Sequence, residues 1–336
     1  MSALRVESFT ASREKLTAFE QVRDAVGIYT GAAPEPVPEG TLCFVAWEGE
    51  APFARASAWV APGLHHAPGA SGLVGHYEAL RPDAGVAVLT AACRALSERR
   101  VARVLGPMNG STWSRYRLAL RASESDPPPF LAEPWNPARY PDDFAAAGFV
   151  PEAHYESRED DRLDEDARDA EQLAESVRRA GVRVRTLDLA RFDEELAALF
   201  ALSLSAFADN LFYTPIDLPA FRAQYEKMRP FIDPELVLIA EDARGRPVAF
   251  QFAYQDPLAP PGLPPRVIVK TVATSVAMRG LGLGGHLLDR IRRRARALSC
   301  GSVIHALIHA HNLSLRMSAR HHGRQFRRYA LYRWAP

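Results

Sequence analysis

The sequence predicts an α/β protein of the α+β mixed-sheet kind, in two domains whose mostly antiparallel sheets are flanked by helices. At 336 residues the chain exceeds the ~150 residues typical of one domain. Short strand-like runs alternate with helical stretches in both halves. A densely charged segment with helical spacing separates the halves. We therefore expect a first domain over 1–155, a linker helix over 156–181 and a second domain over 182–336.

The first half contains short strands and one clear helix. Its strand-like runs are Leu42–Trp47, Ala54–Val60, Gly75–Leu80 and Val101–Leu105. The alanine-rich stretch Gly85–Arg99 predicts the helix. Prolines at 127–129 and 134–141 mark loops, and a short helical stretch over Tyr140–Phe149 meets a glycine near its end.

The second half predicts antiparallel strands first and then a strand–loop–helix–strand unit. The expected strands are Val182–Leu187, Leu236–Glu241, Val248–Tyr254, Arg266–Thr274, Val303–His309 and Gln325–Trp334. The expected helices are Phe192–Ala208, Leu218–Met228, a helix that ends near Leu298, and Asn312–Arg320. This order favours a mixed sheet with helices on both faces.

Composition excludes several classes of protein. Apolar residues make up 47% and charged residues 24% of the chain, which is ordinary for a globular protein with a core. No apolar run approaches the ~18 to 20 residues of a membrane span, and the N-terminus lacks the apolar core of a secretory signal. The three scattered cysteines form neither a disulfide framework nor a metal pair. We therefore expect a cytoplasmic protein without a membrane span.

Charge is distributed unevenly along the chain. The net charge is +1, yet residues 261–336 contain fourteen Arg and Lys side chains and a single acid, Asp289. Such a basic region predicts an anionic partner. Nucleic acid, a phosphorylated cofactor and an acidic protein would all satisfy it. Nucleic acid ranks last, because the region lacks a recognisable reading motif with interleaved aromatic residues.

The segment from Lys270 to Leu288 carries the most specific signal. Arg279-Gly-Leu-Gly-Leu-Gly284 stands between a predicted strand and a predicted helix. Glycines allow the main chain to approach a ligand closely and to adopt positive φ. The N–H groups and the dipole at the following helix N-terminus favour an anion. A pyrophosphate group is the expected ligand.

Two other kinds of phosphate-binding loop do not fit this segment. A P-loop requires Lys and Ser or Thr after its last glycine, whereas His286 and Leu287 follow Gly285 here. The spacing of Gly280, Gly282 and Gly285 does satisfy the dinucleotide pattern. However, it lies near the end of the chain, without an acidic residue ~20 positions later. A glycine turn that serves only strand-to-helix packing is the remaining alternative.

The Arg-x-x-Gly-x-Gly spacing that begins at Arg279 resembles the acyl-CoA pyrophosphate loop of the GNAT (N-acetyltransferase-like) acyltransferase superfamily. The order of elements from Val182 to Trp334 is similar to the whole fold of that superfamily. The resemblance implies transfer of an acyl group from acetyl-CoA or a longer acyl-CoA to a small-molecule or peptide amine. A phosphopantetheinyl acyl carrier protein is the alternative donor.

The resemblance also implies which residues bind the donor. Main-chain groups of the loop would hold the pyrophosphate, and the preceding strand would pair with the pantetheine arm. The pantetheine residues by position are Val272, Ala273, Thr274 and Val276. The loop residues are Arg279, Gly280, Leu281, Gly282, Leu283, Gly284 and Gly285, with Asn312 and Ser314 assigned to the same ligand from the later helix.

The sequence departs from the superfamily pattern after Asn312. A Tyr that commonly protonates the departing thiolate is replaced by Ala319, and an aromatic residue after Gly323 is replaced by Arg324. Another group or a water must then supply the proton, and Ser314, Ser318 and His321 stand unranked in this segment. The loss of the Tyr supports a second hypothesis, a non-catalytic GNAT-like module that binds CoA or a protein partner.

The first half has a looser resemblance of its own. The segments Gly106–Trp113, Pro128–Pro137 and Tyr140–Phe149 look like the leading half of bacterial tandem GNAT-like proteins. No Arg-x-x-Gly-x-Gly loop follows the strand at 75–80. The first domain is therefore expected to be degenerate and to shape the substrate cleft rather than bind CoA.

Three side chains are candidates for catalysis. His309 and His311 lie at a predicted strand end, and an imidazole with a pKa near ~6.5 can accept the proton of an amine. Lys270, in the strand before the loop, either faces the thioester or an acceptor carboxylate or extends to the sheet edge. His305, His309 and His311 share the spacing of a possible metal site, but the strand has no acidic residues near them, so no metal is expected. Asn210 and Tyr213 are candidates for acceptor binding.

The helix after the loop carries a row of arginines: Arg290, Arg292, Arg293, Arg294 and Arg296. Its apolar residues occupy another face, so the arginines are expected mostly on the solvent side. They form either a solvated face or a docking surface for an acidic acyl carrier protein. The sequence leaves both interpretations open.

Overall fold

A computed structural model of the chain describes residues 3–335, except for 13–14, 29, 62, 124 and 168. The described chain forms two compact units. The first unit runs to His154 and also includes Asn210–Thr214 and the chain from Arg328 onward. The second unit consists of Tyr155–Asp209 and Pro215–Arg327.

The elements up to His154 alternate between strands and helices. In chain order they are β1 (Arg5–Thr10), α1 (Thr17–Val26), β2 (Leu42–Glu48), β3 (Ala51–Ala61), β4 (Ser71–Ala79), α2 (Pro82–Ser97), β5 (Arg103–Gly106), β6 (Leu118–Leu120) and α3 (Tyr140–Ala146). Strands β1 to β5 are neighbours in that order in the sheet. All of these pairs are antiparallel except β4 with β5, which is parallel.

The core of the first unit follows from the alternation of side chains along its strands. On β2, Phe44 and Ala46 belong to the cluster under α2. Cys43 and Val45 belong to a second cluster with Phe19 of α1. The two helices thus cover apolar residues of opposite parity on the same strand.

The second half adds the remaining elements. In chain order they are β7 (Val150–Asp160), α4 (Ala170–Arg179), β8 (Arg183–Thr186), α5 (Phe192–Phe207), α6 (Leu218–Met228), β9 (Val237–Glu241), β10 (Pro247–Gln255), β11 (Arg266–Thr274), α7 (Leu283–Ala297), β12 (Ser302–His309), α8 (Ser314–Arg320) and β13 (Arg324–Trp334). In the second unit the strands follow the order β7, β12, β11, β10, β9 and β8. Only β11 and β12 are parallel among these pairs.

The core of the second unit also divides by strand parity. Ala249 and Ala253 of β10 lie in the cluster that contains Leu287 and Ile291 of α7. Phe252, of the opposite parity, contacts the ring of Tyr225 on α6 at 5.2 Å. Helix α7 therefore covers one side of β10 and α6 the other.

The last strand belongs to the first unit from Arg328 onward. There β13 pairs antiparallel with β5, Tyr332 opposite Gly106, and with β6, Tyr329 opposite Ala119. These residues were expected in the second domain. Chain order carries no information on which sheet a C-terminal strand joins, so this pairing is a finding of the structure.

The helix expected over 156–181 is shorter in the structure. Residues up to Asp160 continue β7, which pairs antiparallel with β12, and the helix covers only Ala170–Arg179. The charged side chains of 156–160 suggested a helix, but strand pairing uses main-chain groups, which every residue type except proline offers in full. Elements β1, α1 and β6 were also absent from the sequence-based expectations.

Most other elements match their expected bounds within one to four residues. Strand Arg266–Thr274 and helix Leu218–Met228 are confirmed without change. The mixed α/β fold with mostly antiparallel strands is likewise confirmed. Within the described ranges, no helix is both long and apolar enough to cross a lipid bilayer.

Candidate functional site

The parallel strands β11 and β12 part from each other midway along their lengths. Their paired residues run from Arg266 with Ser302 to Val269 with His305 and then stop. Both strands continue, β11 to Thr274 and β12 to His309. A gap, here called the opening, therefore lies between residues 270–274 and 306–309 of the second unit.

A β-bulge at Lys270 stands at the start of the opening. In the pairing of β11 with β10, Thr271 faces Phe252 and Val269 faces Ala253, so Lys270 is the extra residue. An extra residue reverses the parity of the strand and increases its local twist. Lys270, expected near the thioester, is thus located where β11 and β12 separate.

The main chain of Val272 and Thr274 is directed toward the opening. Ser275 donates its N–H to the Val248 carbonyl at 2.8 Å, which joins this end of β11 to β10. Since antiparallel pairs alternate between bonded and non-bonded residues, Ala273 is bonded to β10 and its two neighbours point away. The main-chain donors and acceptors of Val272 and Thr274 therefore face away from β10.

The glycine loop, residues 279–285, connects the end of β11 to α7. A 3-10 turn over Val276–Met278 precedes it. Gly280 has φ 90° and Gly282 has φ 78°, the left-handed region that favours glycine. Gly282 is also the N-cap of α7. A Cβ on Gly280 would meet no atom within 4 Å, so its surface is open to a ligand.

Helix α4 packs against the glycine loop. Leu173 of α4 lies so close to Gly282 and Gly285 that a Cβ on either would clash with it. The Ser176 hydroxyl donates to the Leu281 carbonyl at 3.2 Å. On the other side, Arg279 donates to the Ala206 carbonyl at 3.1 Å. The turn is therefore held in shape by contacts within the second unit.

The electrostatics of the loop suit an anion. Helix α7 has fifteen residues and no acidic residue in its first turn, so its N-terminal N–H groups and dipole favour negative charge. Burial and the neighbouring Arg290 lower the pKa of His286 in that turn. Two apolar residues beside the opening, Val276 and Leu313, are 60% and 72% exposed.

The two candidate histidines lie at the far end of β12. His309 Nδ1 accepts the His311 main-chain N–H at 3.3 Å, and the His309 ring lies 5.1 Å from the ring of Tyr155. The imidazole of His311 is exposed. With Nδ1 acting as acceptor, neutral His309 carries its proton on Nε2, so His311 is the more accessible base of the two.

The polar residues in and next to α8 have different hydrogen-bond partners. Asn312 Oδ1 accepts the Ser314 N–H at 2.8 Å and so caps the start of the helix. Ser318, fully buried, contacts His305 Nδ1 at 2.6 Å. His321 Nδ1 bonds with the Met317 carbonyl at 2.9 Å. Among the described residues, no three His, Cys, Asp or Glu side chains are grouped to hold a metal ion.

The arginines of α7 are largely paired within the second unit. Arg292, expected on the solvent side, is 2% exposed and forms an ion pair with Asp160, itself fully buried. Arg293 pairs with Asp289, Arg294 with Asp233 and Glu235, and Arg296 with Asp164. Apart from Asp289, which lies on α7 itself, the acids come from distant segments, so these pairs could not be inferred from the basic run alone.

The acceptor candidates Asn210 and Tyr213 belong to the first unit. They form a turn, with the Tyr213 N–H donating to the Asn210 carbonyl at 3.1 Å. His65 N–H donates to the Tyr213 carbonyl at 3.2 Å, and Trp113 Nε1 to the Thr214 carbonyl at 2.9 Å. The Tyr213 hydroxyl is buried, and the structure gives it no hydrogen-bond partner among the described residues.

In the first unit, the parallel pair β4 and β5 corresponds in strand order to β11 and β12 of the second unit. The space where β4 and β5 separate is filled by other residues. Past the last pair, Leu73 with Leu105, Met108 N–H donates to the Val74 carbonyl at 2.8 Å. Asn109 Oδ1 accepts the His76 N–H at 2.7 Å. A Cβ on Gly75 would overlap Met108 and Asn109, so only glycine permits this approach.

Helix α3 closes the end of the same strand. The Tyr140 hydroxyl bonds with the Ala79 N–H at 2.9 Å, and the Arg139 guanidinium donates to the Ala79 carbonyl. Tyr77 donates to Asp143 at 2.7 Å, which fixes α3 against β4. The main-chain groups of β4 that a pantetheine arm would need are already bonded.

The sequence analysis did not identify Tyr225, which lies next to this site. Tyr225 of α6 contacts Phe252 and forms a side-chain hydrogen bond with Thr271. Its signal was the i, i+4 spacing from Phe221, which marks an inward helix face. That spacing does not distinguish a core tyrosine from one beside a ligand site.

Comparison with solved structures identifies the fold. The chain matches a GCN5-related N-acetyltransferase from Sphaerobacter thermophilus over 100% of this chain and 97% of that chain, at 15% identity and TM-score 0.52. A tandem GNAT protein from the clavulanic acid biosynthesis pathway matches at 14% identity and TM-score 0.55, over 99% and 98% of the two chains. These likenesses show the GNAT fold and confirm the expected resemblance to tandem GNAT proteins.

A third match is a fungal multi-domain protein with a GCN5-related glucosamine N-acetyltransferase region, at 12% identity and TM-score 0.60. It covers 99% of this chain, and the chain spans 38% of that protein's length. No protein-family model matches the sequence, and no curated protein matches it either.

Proposed function

We propose that the chain is an N-acyltransferase that moves an acyl group from an acyl-CoA thioester to an amine acceptor in a ternary complex. The observation that carries the proposal is the opening between β11 and β12, with the main chain of Val272 and Thr274 directed into it. The opening leads to a left-handed glycine loop at a helix N-terminus. The GNAT fold of the matched structures supports the same function.

The donor is CoA rather than an acyl carrier protein. A carrier protein would need unpaired basic side chains to bind its acidic surface. Most arginines of α7 already form ion pairs with acids of the second unit. The glycine loop, in contrast, suits the pyrophosphate that CoA carries and a phosphopantetheine arm lacks.

The acceptor is a small-molecule or peptide amine. A neutral amine attacks the thioester carbonyl, the C–S bond breaks with its electron pair on sulfur, and the amine nitrogen loses a proton. His311, exposed at the end of β12, is the group proposed to receive that proton. Lys270 at the bulge and the turn that contains Asn210 and Tyr213 remain proposed positioning and acceptor-binding residues. Holding both reactants supplies much of the acceleration.

The first unit is proposed to bind no CoA. Its β4 groups are bonded to Met108, Asn109, Arg139 and Tyr140, and no glycine loop follows β4. The degenerate first domain inferred from the sequence is supported by these bonds. Thioester chemistry is therefore assigned to the second unit alone.

A non-catalytic CoA-binding module is the second candidate. It is favoured by Ala319, which stands where the superfamily commonly has the Tyr that protonates the thiolate. Both candidates predict CoA binding, and only the first predicts release of free thiol when acyl-CoA and an amine are mixed. A thiol-release assay with a panel of amines separates the two.

Two aspartate substitutions test the role of the loop. Gly280→Asp places a carboxylate at the anion site, and Gly245→Asp places one in the turn between β9 and β10. Both glycines are exposed, have positive φ (90° and 73°) and leave a new Cβ free of contacts, and Asp tolerates that conformation better than most residues. We expect calorimetric titration with CoA to show about tenfold or greater weakening for Gly280→Asp only. Equal affinity of both variants would contradict the proposed site.

A further inference from the structure

Tyr225 of α6 carries a hydroxyl group that reaches β11 at the start of the opening. Its ring lies edge-on to Phe252 at 5.2 Å and tilted against Phe221 at 4.7 Å. Its hydroxyl forms a hydrogen bond with the Thr271 side chain. Aromatic contacts on two sides fix the ring, so the hydroxyl has one position.

Thr271 connects that hydroxyl to the opening. It is the first residue after the Lys270 bulge and lies directly opposite Phe252, so the two side chains share the face that α6 covers. The next residue, Val272, directs its main chain into the opening. The Tyr225 hydroxyl is therefore bonded to a residue adjacent to the position where a thioester arm would lie.

Of the polar side chains in and next to α8, Ser318 and His321 are engaged elsewhere. Ser318 and His305 bond to each other, and His321 bonds to the main chain of Met317. All three are buried, with exposed fractions of 2% or less. They lie in the interior between β12 and α8, and Ala319 offers no proton.

Tyr225 remains protonated at neutral pH. Burial raises its pKa to about 12, with the Thr271 hydrogen bond acting in the opposite direction. A phenol in that state can donate a proton to a developing thiolate, whereas it cannot act as a base toward the amine.

We propose that Tyr225, on α6, is the catalytic residue that donates a proton to the departing thiolate, in place of the missing tyrosine on α8. This assignment rests on the proposed acyltransferase function. As the C–S bond of the tetrahedral intermediate breaks, its electron pair passes to sulfur and the Tyr225 proton follows. The proton that His311 takes from the amine nitrogen returns to the phenolate through solvent. The net products are an amide and a free thiol, with no other reactant.

The test uses Tyr225→Phe with two donors that differ in their leaving group. With acetyl-CoA, whose alkyl thiolate needs protonation, we expect kcat to fall about 10²- to 10⁴-fold. With S-phenyl thioacetate, whose aryl thiolate leaves unaided, we expect a change of less than about threefold, because general-acid assistance becomes unnecessary. The affinity for CoA, measured by calorimetry, should stay within about twofold of the wild type.

Tyr254→Phe is the matched control. Tyr254 lies on the same face of β10, 6.1 Å from Phe252, and is fully buried. The substitution removes a buried hydroxyl from the same face of β10 and leaves Tyr225 in place, so both donors should react at the wild-type rate.

Each outcome bears on a separate claim. A Tyr225→Phe enzyme that is equally slow with both donors, or equally fast with acetyl-CoA, overturns the assignment of Tyr225 while the acyltransferase function stands. A wild-type protein that turns over neither donor overturns the proposed function, and this assignment with it.

Discussion

The imidazole of His305 is enclosed by β12 and α8, and its surroundings determine its charge. Burial is the largest cause that lowers its pKa to about 3, and the positive charges of Arg292 and Arg158 act in the same direction. Its Nδ1 bonds with Ser318, whose hydroxyl and main chain approach so closely that Gly323 admits no Cβ. His305 is therefore a neutral core residue and is not a catalytic base.

A buried neutral histidine makes stability depend on pH. His305 binds fewer protons in the folded state, with a pKa of about 3, than in the unfolded state, with a pKa near 6.5. The free energy of unfolding therefore falls as pH decreases from about 6.5 toward 3, by up to about 1.4 kcal/mol per pH unit for one such group. We expect His305→Gln to reduce this slope by about one proton between pH 6 and 4.5, as measured by urea unfolding.

His311→Gln serves as the control for that measurement. His311→Gln makes the same chemical change at an exposed position of the same segment, so the comparison isolates the effect of burying His305. A slope that is the same in wild type, His305→Gln and His311→Gln would show that His305 does not remain neutral in the folded protein.

Among the individual elements, helix α7 combines an end that is proposed to bind the ligand with a middle that holds neighbouring segments in place. Its N-terminus carries the glycine loop, and its middle is fastened by Arg292. The Arg292 guanidinium bonds with Asp160 of β7 and with the carbonyls of Arg162 and Glu165, at 3.0 and 2.7 Å. The segment after β7 is thus wrapped onto α7 by one buried arginine.

Arg292 and Arg296, about one turn apart on α7, should differ strongly in their contribution to stability. Arg292→Ala leaves the fully buried Asp160 without its partner, and breaking a buried pair costs about 3 to 5 kcal/mol. Arg296 and Asp164 are 62% and 85% exposed, and such a surface pair contributes about 1 kcal/mol or less. Chemical denaturation of both variants measures the difference. Equal destabilisation would mean that Arg292 is not buried as described.

Local chemistry explains which elements the sequence predicted. The Arg279–Gly285 loop and the strand before it were placed correctly because positive φ at Gly280 and Gly282 leaves a direct signature of glycine. The sequence did not reveal that 156–160 form a strand, because acidic residues in this segment favour an exposed helix. One of them, Asp160, is buried with Arg292, a partner 132 residues away. Tyr225 was likewise hidden among core aromatics. Interactions between distant segments carry no local pattern.

Over the molecule as a whole, the two units repeat a strand order and differ in the segment after the parallel pair. In the second unit, β11 and β12 separate after Val269 and His305, and a glycine loop comes next. In the first unit, the corresponding space beside β4 is filled by Met108 and Asn109. The same architecture thus directs the main chain of Val272 and Thr274 toward an opening in one unit, and it has main-chain groups of β4 bonded in the other.

This difference predicts one CoA per chain. The Ala79 main chain is bonded by Tyr140 and Arg139, and displacing such buried bonds would leave polar groups unpaired, at about 1 to 3 kcal/mol each. We expect calorimetric titration or native mass spectrometry to give about one CoA per chain at saturating ligand. In the Gly280→Asp variant, that single binding event should weaken by the tenfold or more expected above. A stoichiometry of two, or a Gly280→Asp variant that binds one CoA with the wild-type affinity, would instead assign a working site to the first unit.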